Sequence, residues 1–459
     1  MKKEKKKIFV IVGAVVACLA VVYVGFGIFF QSHFCFGTTI DGIKAGGKSV
    51  EKVEQLITEE IDSYVLNLAE REDGSESISG ESIQIAPVFN GEVEELLNGQ
   101  NGFAWVVTLF KHDNLELAKV VTFDEDALDS QIDQLNCMQA SEQREPVDAT
   151  VSAYTADGYS LVPADYGTTI DKNTFKKAVE DSILVLADEL DLDEADCYVK
   201  PEIEDDNEKL LAVIDEMNSY VGTTITYDFD VAKEVLDGER ISEWLSVDDD
   251  LNLVVDEEGV LSFVKELASE YNTCYKPKEL KTSYGSTVTI SNGPYGWKIN
   301  NSEEVAQILD DLKAGKKVER EPVYAQTANS HGENDYGNSY VEINLTAQHL
   351  FLYKDGVLVT ESDFVSGNVA KGHATPGGAF MLTYKTLNAV LRGPDYETPV
   401  TYWMPFNGDI GMHDLTSRKA FGGDIYKTRG SHGCINLPPE NAGQLYSLIQ
   451  YDVPIICFY

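Results

Sequence analysis

The sequence predicts a multidomain α+β protein: an N-terminal transmembrane helix, two tandem α+β modules and a C-terminal, mostly β, sandwich-like domain. Three observations carry this. A chain of 459 residues is too long for one ordinary core. A turn-and-helix unit recurs at a spacing of roughly 130 residues. Over about the last 120 residues, helical periodicity gives way to strand-like alternation. With 43% hydrophobic and 25% charged residues, the composition is globular rather than disordered. Acidic residues outnumber basic ones 77 to 36, and the formal charge of -41 argues against a nucleic-acid polyanion as partner.

The chain opens with a basic tail, residues 1–7, carrying Lys2, Lys3, Lys5, Lys6 and Lys7. The uncharged apolar run 8–30 follows and is long enough to cross a bilayer as a helix. Lysines on the near side stay in the cytoplasm, which puts the remainder outside. A cleaved signal peptide has a shorter apolar core and a small-residue cleavage site, and this run shows neither. Val15-Val16-Ala17-Cys18 resembles a bacterial lipoprotein cleavage box, but twelve apolar residues follow Cys18, which favours an uncleaved anchor. The seven cysteines (Cys18, Cys35, Cys137, Cys197, Cys274, Cys434 and Cys457) form no CxxC pair and no metal-ligand spacing. Neither a dense disulfide framework nor a zinc site is supported. Cys457, in the apolar tail 453–459, reads as a buried strand residue.

The first module spans 31–205. Gly37-Thr38-Thr39-Ile40-Asp41 precedes a helical pattern with Val50, Val53, Leu56 and Ile57 on one face. The same five letters return at 167–171, ahead of a helix expected over 175–190. A variant at 295–300 leads into a helix over 302–312 of the second module, 206–322. The stretches 121–128 and 254–261 each open a helix with acids in its first turn. Neither module gathers a chemistry-bearing cluster, so spacer and ligand-binding roles stand equally open, and 220–230 reads as strand and surface. The polar, Gly/Asn-rich stretch 323–338 reads as a linker, with His331 in solvent.

In the last domain, 339–459, residues 339–345 alternate with period two. Residues 349–360 form a hairpin around Asp355-Gly356. Further strands are expected at 363–366, 378–384 and 398–404, and a helix with proline near its start at 439–451.

Chemistry concentrates between His413-Asp414 and Ser431-His432-Gly433-Cys434-Ile435-Asn436, with seventeen residues separating His413 from Ser431. A free thiol is mostly protonated at neutral pH, so an attacking Cys434 needs a base or a positive neighbour. His413 is the natural base, approaching from another strand, and Asp414 orients its ring by side chain or backbone carbonyl. His432, two residues from Cys434, shares its face if the segment is a strand, and competes for the role or shapes the pocket. Gly433 permits a close turn that aims the backbone N–H groups of 432–434 at an oxyanion. Ser431 holds the turn, and Asn436 does likewise or touches substrate. Arg429 meets a substrate carboxylate or is an exposed loop charge. His349 and His373 read as structural.

With the companion segment 374–380, reading ATPGGAF, this signature resembles the L,D-transpeptidases of the YkuD type, which crosslink bacterial peptidoglycan. The order of parts is similar to that of members carrying peptidoglycan-binding-type modules between a membrane anchor and the catalytic domain. The resemblance implies that the Cys434 thiolate attacks the carbonyl of the third, L-configured residue of a stem tetrapeptide. D-Ala leaves, and an amine of a neighbouring stem resolves the thioester into a 3→3 crosslink; water instead gives L,D-carboxypeptidase activity. It implies His413 as the base and places Tyr402, Trp403 and Met404 near the substrate channel, with packing their other reading. The partners implied are peptidoglycan stem peptides and, through the helix, the membrane; the scheme requires no metal or organic cofactor. The loop segment 421–426 is expected as a mobile rim. A cysteine hydrolase on the same residues and a non-enzymatic wall-binding scaffold are the alternatives.

Overall fold

The computed structural model describes residues 2–117, 120–332, 334–393 and 396–459. The chain divides into two compact units, one formed by 1–150 and 162–205, the other by 151–161 and 206–459.

The first unit opens on the helix Lys2–Phe29, whose stretch Lys6–Phe29 is long and apolar enough to cross a membrane. The helix Val50–Asp62 follows, capped by the Ser49 hydroxyl, and buries Val53, Ile57 and Ile61. Strand Val65–Ala69 forms a hairpin with Ser75–Ser79 and runs parallel to Glu189–Asp191. That last strand comes after the helix Lys172–Leu184, capped by Asp171. The helix expected to reach residue 190 thus stops at Leu184, because Leu186 turns to φ +52° and the chain must re-enter the sheet.

The second unit begins with the same succession. Helix Glu208–Val221, capped by Asn207, leads into strand Thr224–Asp228. That strand forms a hairpin with Lys233–Leu236 and lies parallel to Lys317–Arg320, which follows the helix Asn301–Lys313 capped by Asn300. Helix, strand, hairpin, second helix and parallel strand thus recur in the two units, whereas both copies of Gly-Thr-Thr-Ile-Asp, 37–41 and 167–171, lie in the first. Glu304, fully buried on that last helix, accepts from Tyr227 Oη at 2.6 Å and from Arg320 Nη2 at 2.7 Å. Such partners are what make a buried carboxylate tolerable.

Two sheets build the C-terminal part. The first has the strand order Val357–Asp363, His349–Lys354, Tyr340–Asn344, Pro454–Phe458, Gly378–Met381. The second runs Thr386–Gly393, Tyr396–Asn407, Ile410–Asp414, Ile435–Leu437. Val341, Leu352 and Ile455 of the first share one core with Met404, Met412 and Leu437 of the second and Leu445 of the helix Pro439–Leu448. Cys457 is buried in the strand Pro454–Phe458. No strand covers 363–366: the ladder ends at Asp363, and Val365 makes an isolated bridge with Asn436. Thr386–Gly393, an eight-residue strand, lies outside the expected set because its leucines and valine face solvent in part and give no clean alternation.

The stretch 323–338 is not a loose linker. Tyr324–Gln326 pairs with Lys298–Ile299, and Asp335 and Tyr336 are buried. His331, expected in solvent, stacks on Trp297 with ring centroids 3.9 Å apart. Asp335 pairs with Lys278 at 2.6 Å, both side chains buried. The hairpin formed by Lys278–Lys281 and Thr287–Ile290 presses Leu280 and Ile290 onto Ala379, Ile456 and Phe458. At its turn, Ser283 donates its N–H and hydroxyl to Glu342, a fully buried carboxylate in strand Tyr340–Asn344. These contacts explain why the second α+β module and the β domain form one compact unit instead of two bodies on a tether.

Candidate active site

The strand Ile410–Asp414 organises the site. It pairs antiparallel with Tyr396–Asn407, setting His413 opposite Trp403, and parallel with Ile435–Leu437, setting His413 beside Asn436. The two ends of the motif are therefore neighbours in a sheet although seventeen residues separate His413 from Ser431. A cavity of about 200 Å³ opens there. It is lined by His413, Ser431, His432, Cys434 and Asn436, together with Leu391, Tyr396, Thr398, Leu415, Arg418 and Gly430.

His413 is buried, and its Nδ1 lies 2.8 Å from the backbone carbonyl of Asp414. A carbonyl only accepts, so Nδ1 carries the hydrogen and Nε2 keeps its lone pair. Of the two ways Asp414 can orient the ring, the backbone carbonyl is the one realised. Its carboxylate instead accepts from the N–H groups of Thr401 and Tyr402, both at 2.8 Å, and ties the two strands together. Burial pulls the His413 pKa below the ordinary imidazole value, opposed by the hydrogen bond to Asp414. Burial pushes the Cys434 thiol up to about 11; a hydrogen bond from the Gly411 backbone counters this, and Asp409 adds to it. Both shifts favour the uncharged forms, a thiol and an imidazole whose Nε2 keeps its lone pair.

The turn before Cys434 is tied on both sides. Gly433 has φ +127°, which disfavours any side chain, and a Cβ placed there sits 3.2 Å from Ile410. Its N–H donates to Ser431 Oγ at 3.0 Å, and its carbonyl accepts from Thr375 Oγ1 at 2.6 Å. Ser431 Oγ in turn donates to the Cys434 carbonyl at 2.6 Å. The Gly433 N–H is thus engaged within the turn and not aimed at an oxyanion; what the glycine supplies is its backbone conformation. Thr375 was not among the expected site residues, although the 374–380 segment that carries it was the visible signal. It is fully enclosed and fixes the loop from below.

His432 lies on this turn, not on a strand, since the strand begins at Ile435. The shared-face argument for a second base does not apply. Its exposed ring stacks on Tyr396 with centroids 4.6 Å apart and meets His373 edge-on at 4.8 Å. Asn436 is buried, its backbone bridged to Val365 in both directions at 3.0 Å, and its Oδ1 is buried without a hydrogen-bond partner.

At four positions the structure takes the packing or loop reading and not the substrate contact. Met404 is completely buried in the core. Tyr402 packs on Tyr446 of the helix Pro439–Leu448, with centroids 5.4 Å apart. Neither lines the cavity, because alternation along the strand points both toward the core. Trp403 is buried beside His413, ring centroids 6.0 Å apart, with its indole N–H on Tyr384 Oη at 3.2 Å; it buttresses the imidazole and does not line the cavity. Arg429 is exposed and outside the cavity, contributing its carbonyl to Arg418 Nη2 at 2.8 Å. Arg418 lines the cavity in its place, half-buried, with a buried Nε that has no hydrogen-bond partner. Sequence offered no means of ranking two arginines in the same loop. Nor is the 421–426 rim loose: the Gly422 N–H donates to the Phe364 carbonyl at 2.9 Å, and Tyr426 is buried. Among the described residues, the group able to hold a metal is Glu70, Glu76 and Cys137, which belong to the first unit and not to this cavity.

Comparison with known proteins identifies two of the domains. The L,D-transpeptidase catalytic domain family (YkuD) matches residues 338–457, and a putative peptidoglycan-binding domain family matches 206–320. Among solved structures, the avibactam carbamoyl enzyme of Ldtfm is 32% identical over 55% of this chain and 99% of its own, with a TM-score of 0.46. A cysteine-to-serine mutant of the Enterococcus faecium L,D-transpeptidase is 31% identical over 53% of this chain and 99% of its own, TM-score 0.45. The catalytic domain of the E. faecium L,D-transpeptidase is 40% identical over 26% of this chain and 97% of its own, TM-score 0.25. No curated protein sequence matches. On the family matches and on identity extending over nearly all of these relatives, the chain belongs to the L,D-transpeptidase family, with a YkuD catalytic domain and a peptidoglycan-binding domain upstream of it.

Proposed function

We propose that this L,D-transpeptidase forms 3→3 peptidoglycan crosslinks, with Cys434 as nucleophile and His413 as general base and acid, and that the helix Lys2–Phe29 anchors it with the catalytic domain facing the wall. The observation that carries this reading is the single cavity joining Cys434 to a buried imidazole whose Nδ1 is committed to the Asp414 carbonyl. Nε2 takes the thiol proton as sulfur attacks the carbonyl of the third stem residue. The Cys434 N–H is the candidate donor for the oxyanion of the tetrahedral adduct. When that adduct collapses, the bond to D-Ala breaks, the imidazolium returns the proton to the departing amine, and a thioester remains. An acceptor amine then attacks, His413 takes its proton, and the thiol leaves reprotonated.

Arg418 binds the carboxylate of the departing D-Ala in this scheme. A guanidinium on the cavity wall with a buried, unpartnered N–H is stabilised by an incoming carboxylate. Replacing it as Arg418→Gln is expected to raise KM for a free-acid tetrapeptide by roughly 10- to 100-fold, the value of a charged hydrogen bond, while a C-terminally amidated stem is unaffected.

The deciding experiment incubates the protein with defined disaccharide-tetrapeptides and reads the products by mass. Crosslinked dimer that disappears in Cys434→Ala is the expected result. Tripeptide without dimer, in the presence of acceptor, favours the carboxypeptidase reading, and identical products from Cys434→Ala eliminate both.

A further inference from the structure

The first unit carries a second apolar surface at the outer end of its long helix, and we infer that it is a lipid-embedded foot. Residues 102–110 hold the sequence GFAWVVTLF. Their large side chains face outward: Phe110 is 87% exposed, Val107 59%, Leu109 47%, Val106 39% and Phe103 38%. A contiguous apolar patch of this kind is unusual on a water-facing surface. The adjoining Lys111 and Asp113, paired at 3.2 Å, end it with charge.

The lipid bilayer is the occupant because the patch is continuous with the candidate span. Tyr23 Oη donates to the Phe103 carbonyl at 2.8 Å, and Trp105 Nε1 donates to the Tyr23 carbonyl at 3.1 Å. Phe26 and Trp105 rings lie 4.9 Å apart. Gly27 and Gly102 let the two backbones approach: a Cβ on Gly27 falls 2.3 Å from the Phe103 ring, and one on Gly102 falls 2.9 Å from the Gly27 carbonyl. Gln100 locks the junction, donating to the Phe30 and His33 carbonyls, both at 2.6 Å, and accepting from the Cys35 N–H at 2.9 Å. The apolar stretch Lys6–Phe29 at about 1.5 Å per residue matches a hydrocarbon core of about 30 Å, so Tyr23 and Phe26 lie inside the outer leaflet. Whatever touches them sits at the same depth. An exposed Phe-Val-Leu surface around a half-buried Trp fits the acyl-headgroup boundary. The first unit is therefore seated on the bilayer and not suspended above it by a stalk.

This inference rests on the anchor proposed above, and the test separates the two. p-Benzoylphenylalanine is introduced singly in place of Val16, Phe110 or Tyr451 of the full chain, reconstituted in phosphatidylglycerol-containing vesicles. Adducts are identified by mass after irradiation. Val16 lies mid-span, and Tyr451 is a 59% exposed residue of the second unit. Phospholipid adducts at positions 16 and 110 in comparable yield, and none at 451, are expected. Adducts at 16 but not 110, or a protein adduct at 110, overturn the foot and leave the anchor standing. Adducts at 451 as abundant as at 110 also overturn it, as unspecific contact. Absence at 16 overturns the anchor and the foot together.

Discussion

At the scale of single residues, the site works through groups whose roles differ from what their letters imply. Asp414 looks like the acid of a catalytic triad, yet its carboxylate staples backbone and its carbonyl orients the imidazole. Gly433 looks like an oxyanion donor, yet its N–H belongs to Ser431. The motif draws attention to these residues, whereas the division of labour between side chain and backbone is not legible in it, since a one-letter code does not record which atom points where. Two predictions belong here. Because burial lowers the His413 pKa from its ordinary value, protonating the proposed base takes a lower pH than protonating a free imidazole. The acid limb of kcat/KM is expected below about 6.5, and a limb at or above that value in a pH-rate profile contradicts the assignment. Ser431→Ala leaves the Gly433 N–H and Cys434 carbonyl without their partner, and shifting the thiol by even an ångström is expected to lower kcat by roughly 100-fold. Ser431→Thr, which keeps the hydroxyl, is expected to recover much of it.

At the scale of elements, the strands of the C-terminal part were readable wherever alternation met a turn signal, as in the hairpin around Asp355-Gly356. What escaped was structure held by distant partners. The 323–338 stretch is polar, yet Asp335 and Tyr336 are buried against a hairpin whose contacting residues lie 57 positions upstream. The same hairpin covers Glu342, whose carboxyl pKa burial raises. The folded state then holds that proton more tightly than the unfolded chain does. Stability from this group is fully present below the ordinary carboxylate value and is lost as pH rises through the raised one. Glu342→Gln is expected to flatten that part of the stability curve, measured as urea midpoints across pH 4 to 7, while an unchanged slope places the titration elsewhere.

For the whole molecule, two compact units that share no core cluster predict separable unfolding. Phe175, fully enclosed in the first unit, is expected to cost about 3–5 kcal/mol when changed to Ala. Scanning calorimetry is expected to show one transition moving to lower temperature while the one that melts the second unit stays in place. A common shift of every transition contradicts this. The broad plan, apolar helix and then α+β structure and then strands, was legible because periodicity is local. The merging of the second α+β module with the β domain was not, because it depends on surface complementarity that no local pattern encodes. The direct pairing of Ile410–Asp414 with Ile435–Leu437 has one more consequence. The chain between them is an excursion whose ends the sheet holds together, and doubling such a loop costs only about 0.6 kcal/mol of closure entropy. Insertions in that excursion can therefore reshape the rim while the strand pairing keeps His413 beside Asn436.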